Sequence, residues 1–183
     1  MMAMLEQESL PIAAAREGRP EAWDALFRRY QMPLYAYVCE LTGDGEASLD
    51  IVQETFISAA RHVGSLRADH KFGSWLFGIA HQKCLQRWRR LRPDSIPLEE
   101  VEASEPAADP DPSEWLIRRE QEEAFLTGVS QLTPAHRAVL LLHYLEDFPL
   151  EDIAAVTNTG VGTVKSRLHY AKRALRQRLE RES

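Results

Sequence analysis

Residues 150–168 read Leu150-Glu151-Asp152-Ile153-Ala154-Ala155-Val156-Thr157-Asn158-Thr159-Gly160-Val161-Gly162-Thr163-Val164-Lys165-Ser166-Arg167-Leu168. Glu151 to Val156 predicts a short helix that Thr157-Asn158-Thr159-Gly160 breaks, with Asn158 suited to the left-handed conformation such a turn needs. Thr159 is a good cap for a second helix, with Gly160 at its first position. In that helix Val164, Leu168, Ala171, Leu175 and Leu179 recur at helical spacing and form a buried stripe, while Lys165, Arg167, His169, Lys172, Arg173 and Arg176 populate the other faces. A short helix, a tight turn and a longer basic helix make a helix-turn-helix, whose second helix fits a DNA major groove. The competing reading of this segment alone is a helical hairpin with a solvated basic face.

Working outward, the same periodicity holds along the chain. Thr133-Pro134 is a cap followed by a first-turn proline, which starts a helix over 134–145, and 114–131 reads as one helix before it. In 21–41, Trp23, Leu26, Phe27, Tyr30, Leu34, Tyr37, Val38 and Leu41 fall at three- and four-residue steps until Thr42-Gly43-Asp44-Gly45 stops the pattern. Ser48 caps a helix over 48–63 striped by Val52, Phe56, Ala59 and Val63. A loop over 64–71 leads to a helix over about 72–91. No alternating β pattern survives, so the fold class is all-α. Residues 93–113 hold five of the ten prolines and seven acidic side chains. Proline removes helix donors and like charges repel, so this stretch reads as an acidic, Pro-rich linker between two small helical bundles, 1–92 and 114–183, rather than as a surface loop.

The chain has 183 residues and a net charge of −6, which looks wrong for a nucleic-acid binder. The average hides a segregation. Residues 61–92 hold eight basic and one acidic side chain, residues 93–123 two and eleven, and residues 150–183 seven and four. Two basic blocks flank an acidic one. The acidic stretch is expected to compete with DNA for the basic surfaces, and the two bundles to pack together or rearrange freely. No apolar run approaches the ~20 residues of a membrane helix, and Glu6 and Glu8 stand where a signal peptide needs positive charge, so the expected location is the cytoplasm without membrane insertion. Cys39 and Cys84 form no CxxC, the histidines show no metal-ligand spacing, and no triad, P-loop or paired-carboxylate motif is present. The expectation is a non-enzyme with no catalytic residues, metal or cofactor.

Leu132-Thr133-Pro134 through Val139-Leu140-Leu141-Leu142, with Glu151-Asp152-Ile153-Ala154 and Val161 to Leu168, resembles region 4 of the extracytoplasmic-function (ECF) sigma factors of bacterial RNA polymerase. Asp50-Ile51-Val52-Gln53-Glu54-Thr55-Phe56 resembles that family's region 2.2, and Phe72-Gly73-Ser74-Trp75-Leu76-Phe77-Gly78-Ile79-Ala80 its region 2.3–2.4. The matches cover roughly 20–92 and 114–180, in family order on both sides of a linker. Two departures stand out. The turn is Thr157-Asn158-Thr159-Gly160 where the family usually has Leu-Gly-Ile-Pro, and Gly73 and His81 occupy places where it often carries polar or basic residues.

The resemblance implies the partners and the candidate sites. Asp50, Gln53 and Glu54 would dock on the β′ clamp helices of the polymerase core, and region 4 on the β flap. His70, Lys71, Phe72, Trp75, Lys83 and Arg87 would serve the −10 element, rings stacking on bases while cations follow phosphates; for Phe72 and Trp75 the plain alternative is core packing. The loop from Gly64 to Lys71 is the candidate for holding an extruded −10 base. Thr163, Lys165, Ser166, Arg167, His169, Tyr170, Arg173 and Arg176 would serve the −35 element, with Lys165, Ser166 and His169 nearest base edges and the arginines nearer phosphates. A separate anti-sigma factor is the expected inhibitor. The alternative reading, a helix-turn-helix regulator acting without the polymerase core, leaves the N-terminal resemblance unexplained, and a helical adaptor without a DNA role leaves both.

Overall fold

The computed structural model describes residues 10–91 and 127–182. Most of the helix expected over 114–131, and the linker, lie outside the described residues. The order is α1 (Ile12–Arg16), α2 (Pro20–Thr42), α3 (Gly45–His62), 3₁₀ turns at Val63–Ser65 and Asp69–Lys71, α4 (Phe72–Leu91), a helical turn over 127–130, α5 (Pro134–Tyr144), α6 (Leu150–Thr157) and α7 (Val161–Glu182). Among the described residues there is no strand.

α2, α3 and α4 pack into one bundle. Leu26, Leu34, Tyr37, Val38 and Leu41 of α2 bury against Ile51, Val52, Phe56 and Ala59 of α3 and Phe72, Leu76, Phe77 and Ala80 of α4. α2 runs through Pro33, whose missing N–H removes one helical bond, and ends where Gly43 takes the left-handed region at φ 68°. Gly45, read from the sequence as part of that break, is the first residue of α3 instead. The cap of α3 is Asp44, whose Oδ1 accepts from Ala47 N–H at 3.1 Å. Ser48 is buried one turn inside, its hydroxyl donating to the Asp44 carbonyl at 2.6 Å. α1 escaped the sequence reading. It is tied down by Arg16, which donates to the Leu66 carbonyl and pairs with Asp69, both at 2.7 Å, thereby pinning the 64–71 loop.

The second bundle is built on α5, α6 and α7. Thr133 caps α5 as the sequence predicts, its Oγ1 accepting from His136 N–H at 3.4 Å, and Val139, Leu140 and Leu142 carry its buried face. Arg137 is the cross-brace. It donates to the carbonyls of Val129 and Leu132, each at 3.0 Å, to the Ser130 carbonyl, and to the Glu40 carbonyl of α2. That last bond already crosses between bundles. The two halves pack against each other, chiefly α4 on α6 and α2 on α5.

Candidate nucleic-acid interface

The helix-turn-helix is closed by a short set of local bonds. Asn158 adopts φ 52°, ψ 46°, and Thr159 N–H reaches back to the Ala154 carbonyl at 3.0 Å, ending α6 in the left-handed manner the sequence predicts. Thr157 Oγ1 donates to the Ile153 carbonyl at 2.7 Å and lies 2.9 Å from Thr159 Oγ1. The hydroxyl pair thus ties together the Thr157-Asn158-Thr159-Gly160 turn. α7 starts one residue later than expected. Its first helical bond runs from Val164 N–H to the Gly160 carbonyl at 3.1 Å, so Gly160 holds the capping position and the Thr159 hydroxyl is engaged by Thr157.

Val164, Leu168, Ala171 and Leu175 bury the inner face of α7 against Ile153, Val156 and α5. Lys165, Arg173 and Arg176 are exposed, and with His169 they share one face, because steps of three and four place residues together. Thr163 and Ser166 are half-buried beside them. Tyr170 is a support: its ring sits 5.8 Å from that of His169 and 6.2 Å from that of His136. Arg167 differs from the other basic residues of this helix. It is buried, 8% exposed, on the side that meets α4.

The expected −10 residues separate into three groups. Phe72 is in the core, its ring ringed by Trp23 at 6.5 Å, Tyr30 at 5.5 Å and Trp75 at 5.8 Å; of the two aromatic candidates only Trp75 reaches partway to the surface. The same cluster explains Gly73, where a Cβ would lie 3.2 Å from the Tyr30 hydroxyl. Lys83 and Arg87 lie on α4 facing α3 and pair with Glu54 at 3.4 Å and Asp44 at 3.0 Å. Such largely exposed pairs are worth about 1 kcal/mol or less, so neither pairing holds its cation firmly. Lys71 pairs with Asp152 of α6 at 2.6 Å, and His70 beside it is exposed.

On α3, Asp50, Gln53 and Glu54 are exposed as predicted. The sequence reading missed what lies among them. Leu49 and Ile57 are 57% and 52% exposed, so the outer face is an aliphatic stripe, Leu49-Gln53-Ile57, edged by carboxylates. Aliphatics at helical spacing are ordinarily read as core, which is why they went unremarked.

Where α4 meets the second bundle, burial alters the chemistry. His81 is 4% exposed, with Nδ1 2.8 Å from the Tyr37 hydroxyl, and burial, with the Arg167 guanidinium adding to it, lowers its pKa to about 4. Burial holds the Tyr37 phenol well above its ordinary value and pushes the Cys84 thiol up to about 12. These groups are neutral at physiological pH. Among the described residues no three His, Cys, Asp or Glu side chains gather as a metal site, and no helix is long and apolar enough to cross a membrane.

Comparison with known proteins follows the same division. A model of sigma-70 region 2 matches residues 26–93, and one of sigma-70 region 4 matches 122–175. The RNA polymerase sigma-H factor of Pseudomonas aeruginosa is 30% identical, over 98% of this chain and 97% of that protein. The ECF sigma factor SigL of Mycobacterium tuberculosis is 31% identical over 92% of this chain and 95% of its own. Two solved structures share the fold: CnrH in complex with the cytosolic domain of CnrY, with TM-score 0.67 and 22% identity over 94% of this chain and 96% of that one, and RpoE in complex with the anti-sigma factor NepR from Bartonella quintana, with TM-score 0.63 and 20% identity over 85% and 97%. With both halves matched in order and relatives aligned almost end to end, the chain belongs to the ECF sigma factors, the alternative sigma factors of bacterial RNA polymerase.

Proposed function

We propose the following division of labour for this sigma factor. The first bundle, within 1–92, holds the polymerase core through the α3 face and reads the −10 element through Trp75, His70, Lys71, Lys83, Arg87 and the 64–71 loop. The second, within 114–183, reads the −35 element through α7 and meets the β flap. The observation that carries the reading is the outer face of α7: Lys165, His169, Arg173 and Arg176 aligned behind a helix-turn-helix turn, opposite the buried apolar stripe of Val164, Leu168, Ala171 and Leu175. The α3 face fits the β′ clamp helices, because exposed aliphatics among carboxylates supply both a desolvated centre and attraction to a basic partner. The chain is no enzyme in this scheme. It positions cytoplasmic polymerase, which does the chemistry. A separate anti-sigma factor is the proposed inhibitor, supported by the complexes in which CnrH and the Bartonella RpoE were solved.

Reconstitution with core polymerase tests the scheme: promoter-dependent transcripts should appear only when this chain is added. A regulator acting without the core would leave transcription by core unchanged.

Base readout and phosphate contact separate in a second experiment. With a mapped promoter, Lys165→Ala and His169→Ala should change the preferred −35 bases, each losing about 1–3 kcal/mol of discrimination. Arg173→Ala and Arg176→Ala should weaken all sequences alike and flatten the salt dependence. Altered base preference on Arg176→Ala, with none on Lys165→Ala, would reverse the assigned facing of the helix.

A further inference from the structure

Residues 61–92 hold eight basic side chains and a single acid, Asp69. It stands in the 64–71 loop, close before Lys71, where a carboxylate repels the phosphates that its neighbours attract. The structure gives this acid a partner. Arg16 of α1 reaches the loop through one nitrogen, Nη2, which donates to the Leu66 carbonyl at 2.7 Å and lies 2.7 Å from Asp69 Oδ1. One guanidinium thus clamps the middle of the loop.

The clamp has a firm base. Ile12 and Ala15 of α1 are buried, and Trp23 Nε1 of α2 donates to the Ala15 carbonyl at 3.1 Å. The Trp23 ring in turn lies 6.5 Å from that of Phe72, where α4 begins. The loop itself is lightly held. Leu66 is buried, but Gly64, Ser65, Arg67, Asp69 and His70 are exposed. Short turn bonds fix its ends, from Ser65 Oγ to the His62 carbonyl at 2.7 Å and from Lys71 N–H to the Ala68 carbonyl at 3.0 Å. Between them Arg16 ties the backbone to the bundle. A segment with so few buried side chains opens locally unless it is tied down from outside.

We infer that Arg16 is a positioning residue for −10 recognition: from α1 it holds the 64–71 loop in the shape that receives an extruded base, and it neutralises the acid that the loop carries. The inference rests on the proposed function for what the loop receives. Extruding a base costs unstacking energy, so a loop already in its binding shape captures the base more tightly than one that must first be ordered. Charge near phosphates affects every strand alike, whereas loop shape decides between a matched strand and an altered one.

Two measurements on full-length protein test the inference. In the free chain, amide hydrogen exchange at Leu66 and Lys71 should be about tenfold faster in Arg16→Ala, the lower end for losing a charge-assisted hydrogen bond, with the melting temperature nearly unchanged because Trp23 still holds α1. In holoenzyme reconstituted with core polymerase, the second readout is the ratio of affinities for a single-stranded −10 oligonucleotide of a mapped promoter and for the same strand with its −10 bases replaced. That ratio should fall about tenfold in Arg16→Ala and about threefold in Asp69→Ala, which keeps the Leu66 bond, and no further in the double variant than in Arg16→Ala, because the two residues form one clamp. Arg16→Lys should restore the ratio, since both contacts come from a single nitrogen and an ammonium can supply them without the guanidinium fork. Asp69→Ala is the sharpest arm. Removing an acid beside DNA strengthens binding of all strands, yet discrimination should drop. An unchanged ratio in Arg16→Ala, intact discrimination in Asp69→Ala, or a loss that Arg16→Lys shares in full overturns the inference. A wild-type holoenzyme without −10 discrimination would overturn the proposed function instead and leave the exchange result on the free chain intact.

Discussion

Acidification from pH 7 to pH 4 should cost the folded protein about 3 kcal/mol through His81. The ordinary imidazole pKa of 6.5 falls to about 4 in the fold, and each unit of difference is worth about 1.4 kcal/mol. The sign follows from which state takes the proton. Above pH 6.5 the imidazole is neutral in both states, and the contribution is fully present. Between 6.5 and 4 the unfolded chain binds a proton that the folded chain refuses, so stability falls with pH, and it levels off below 4. The groups around His81 give no relief: Tyr37 and Cys84 are held neutral by burial, and Arg167 is a like charge. His136 and His143 are lowered as well, by burial and by Arg167 and Lys172 respectively, and add to the loss; Glu146, raised by burial and Asp147, acts in the opposite sense. Urea unfolding at several pH values reads the slope. His81→Asn keeps a polar atom near Nδ1 for Tyr37 but does not titrate, so its stability should fall less steeply, by about 1.4 kcal/mol per pH unit across this window. Equal slopes in the two proteins would mean that His81 is not the group responsible. Because His81 and Arg167 belong to opposite halves, the same proton should also loosen the seam between them.

The local structure was the legible part. Thr133-Pro134 announced α5, Asn158 announced the left-handed end of α6, and the stripe Val164, Leu168, Ala171, Leu175 announced the inner face of α7, because each signal is written within one or two turns. Boundaries slipped where two neighbouring residues could perform one task. Asp44 and Ser48 both suit a cap, and only burial of Ser48 distinguishes them; Gly43 and Gly45 both suit a break, and only Gly43 has positive φ.

That the halves pack together was among the expectations; which faces they share was the illegible part, since periodicity says how much of a helix is covered and not by what. One clue was present. Phe72, Leu76, Phe77, Ala80, His81 and Cys84 of α4 span an arc too wide for a single partner, and the structure shows two: α2 and α3 on one side, α6 on the other. An aromatic among arginines invites a reading as a stacking platform for bases. Phe77 instead spends its ring on Tyr37 at 5.3 Å and Phe148 at 5.4 Å. In the proposed scheme, the −10 surface therefore falls to the half-buried Trp75 and the cations at the helix edges.

Charge reversal on the outer face of α3 should remove polymerase binding while leaving the fold alone. Asp50 and Glu54 are exposed; the Asp50 side chain enters no ion pair in the described structure, and Glu54 has only the weak pair with Lys83. Asp50→Lys with Glu54→Lys should therefore leave the melting temperature nearly unchanged, since surface substitutions usually stay within about 0.5 kcal/mol. Against a basic partner each reversal converts attraction into repulsion, and like charges juxtaposed at an interface cost several kcal/mol, so affinity for core should drop by about 100-fold or more. The aliphatic stripe predicts a different signature. Leu49→Ala with Ile57→Ala removes contact area without altering charge. The complex should dissociate faster, by about tenfold for each 1.4 kcal/mol lost, at an almost unchanged association rate. The charge reversals should slow association as well, and added salt should mask part of that effect but none of the aliphatic one. Binding kinetics on immobilised core polymerase at two salt concentrations separate the cases. Full affinity in the doubly reversed variant would show that the polymerase is held elsewhere, and an aliphatic variant that binds core like wild type would reduce Leu49 and Ile57 to incidental surface residues.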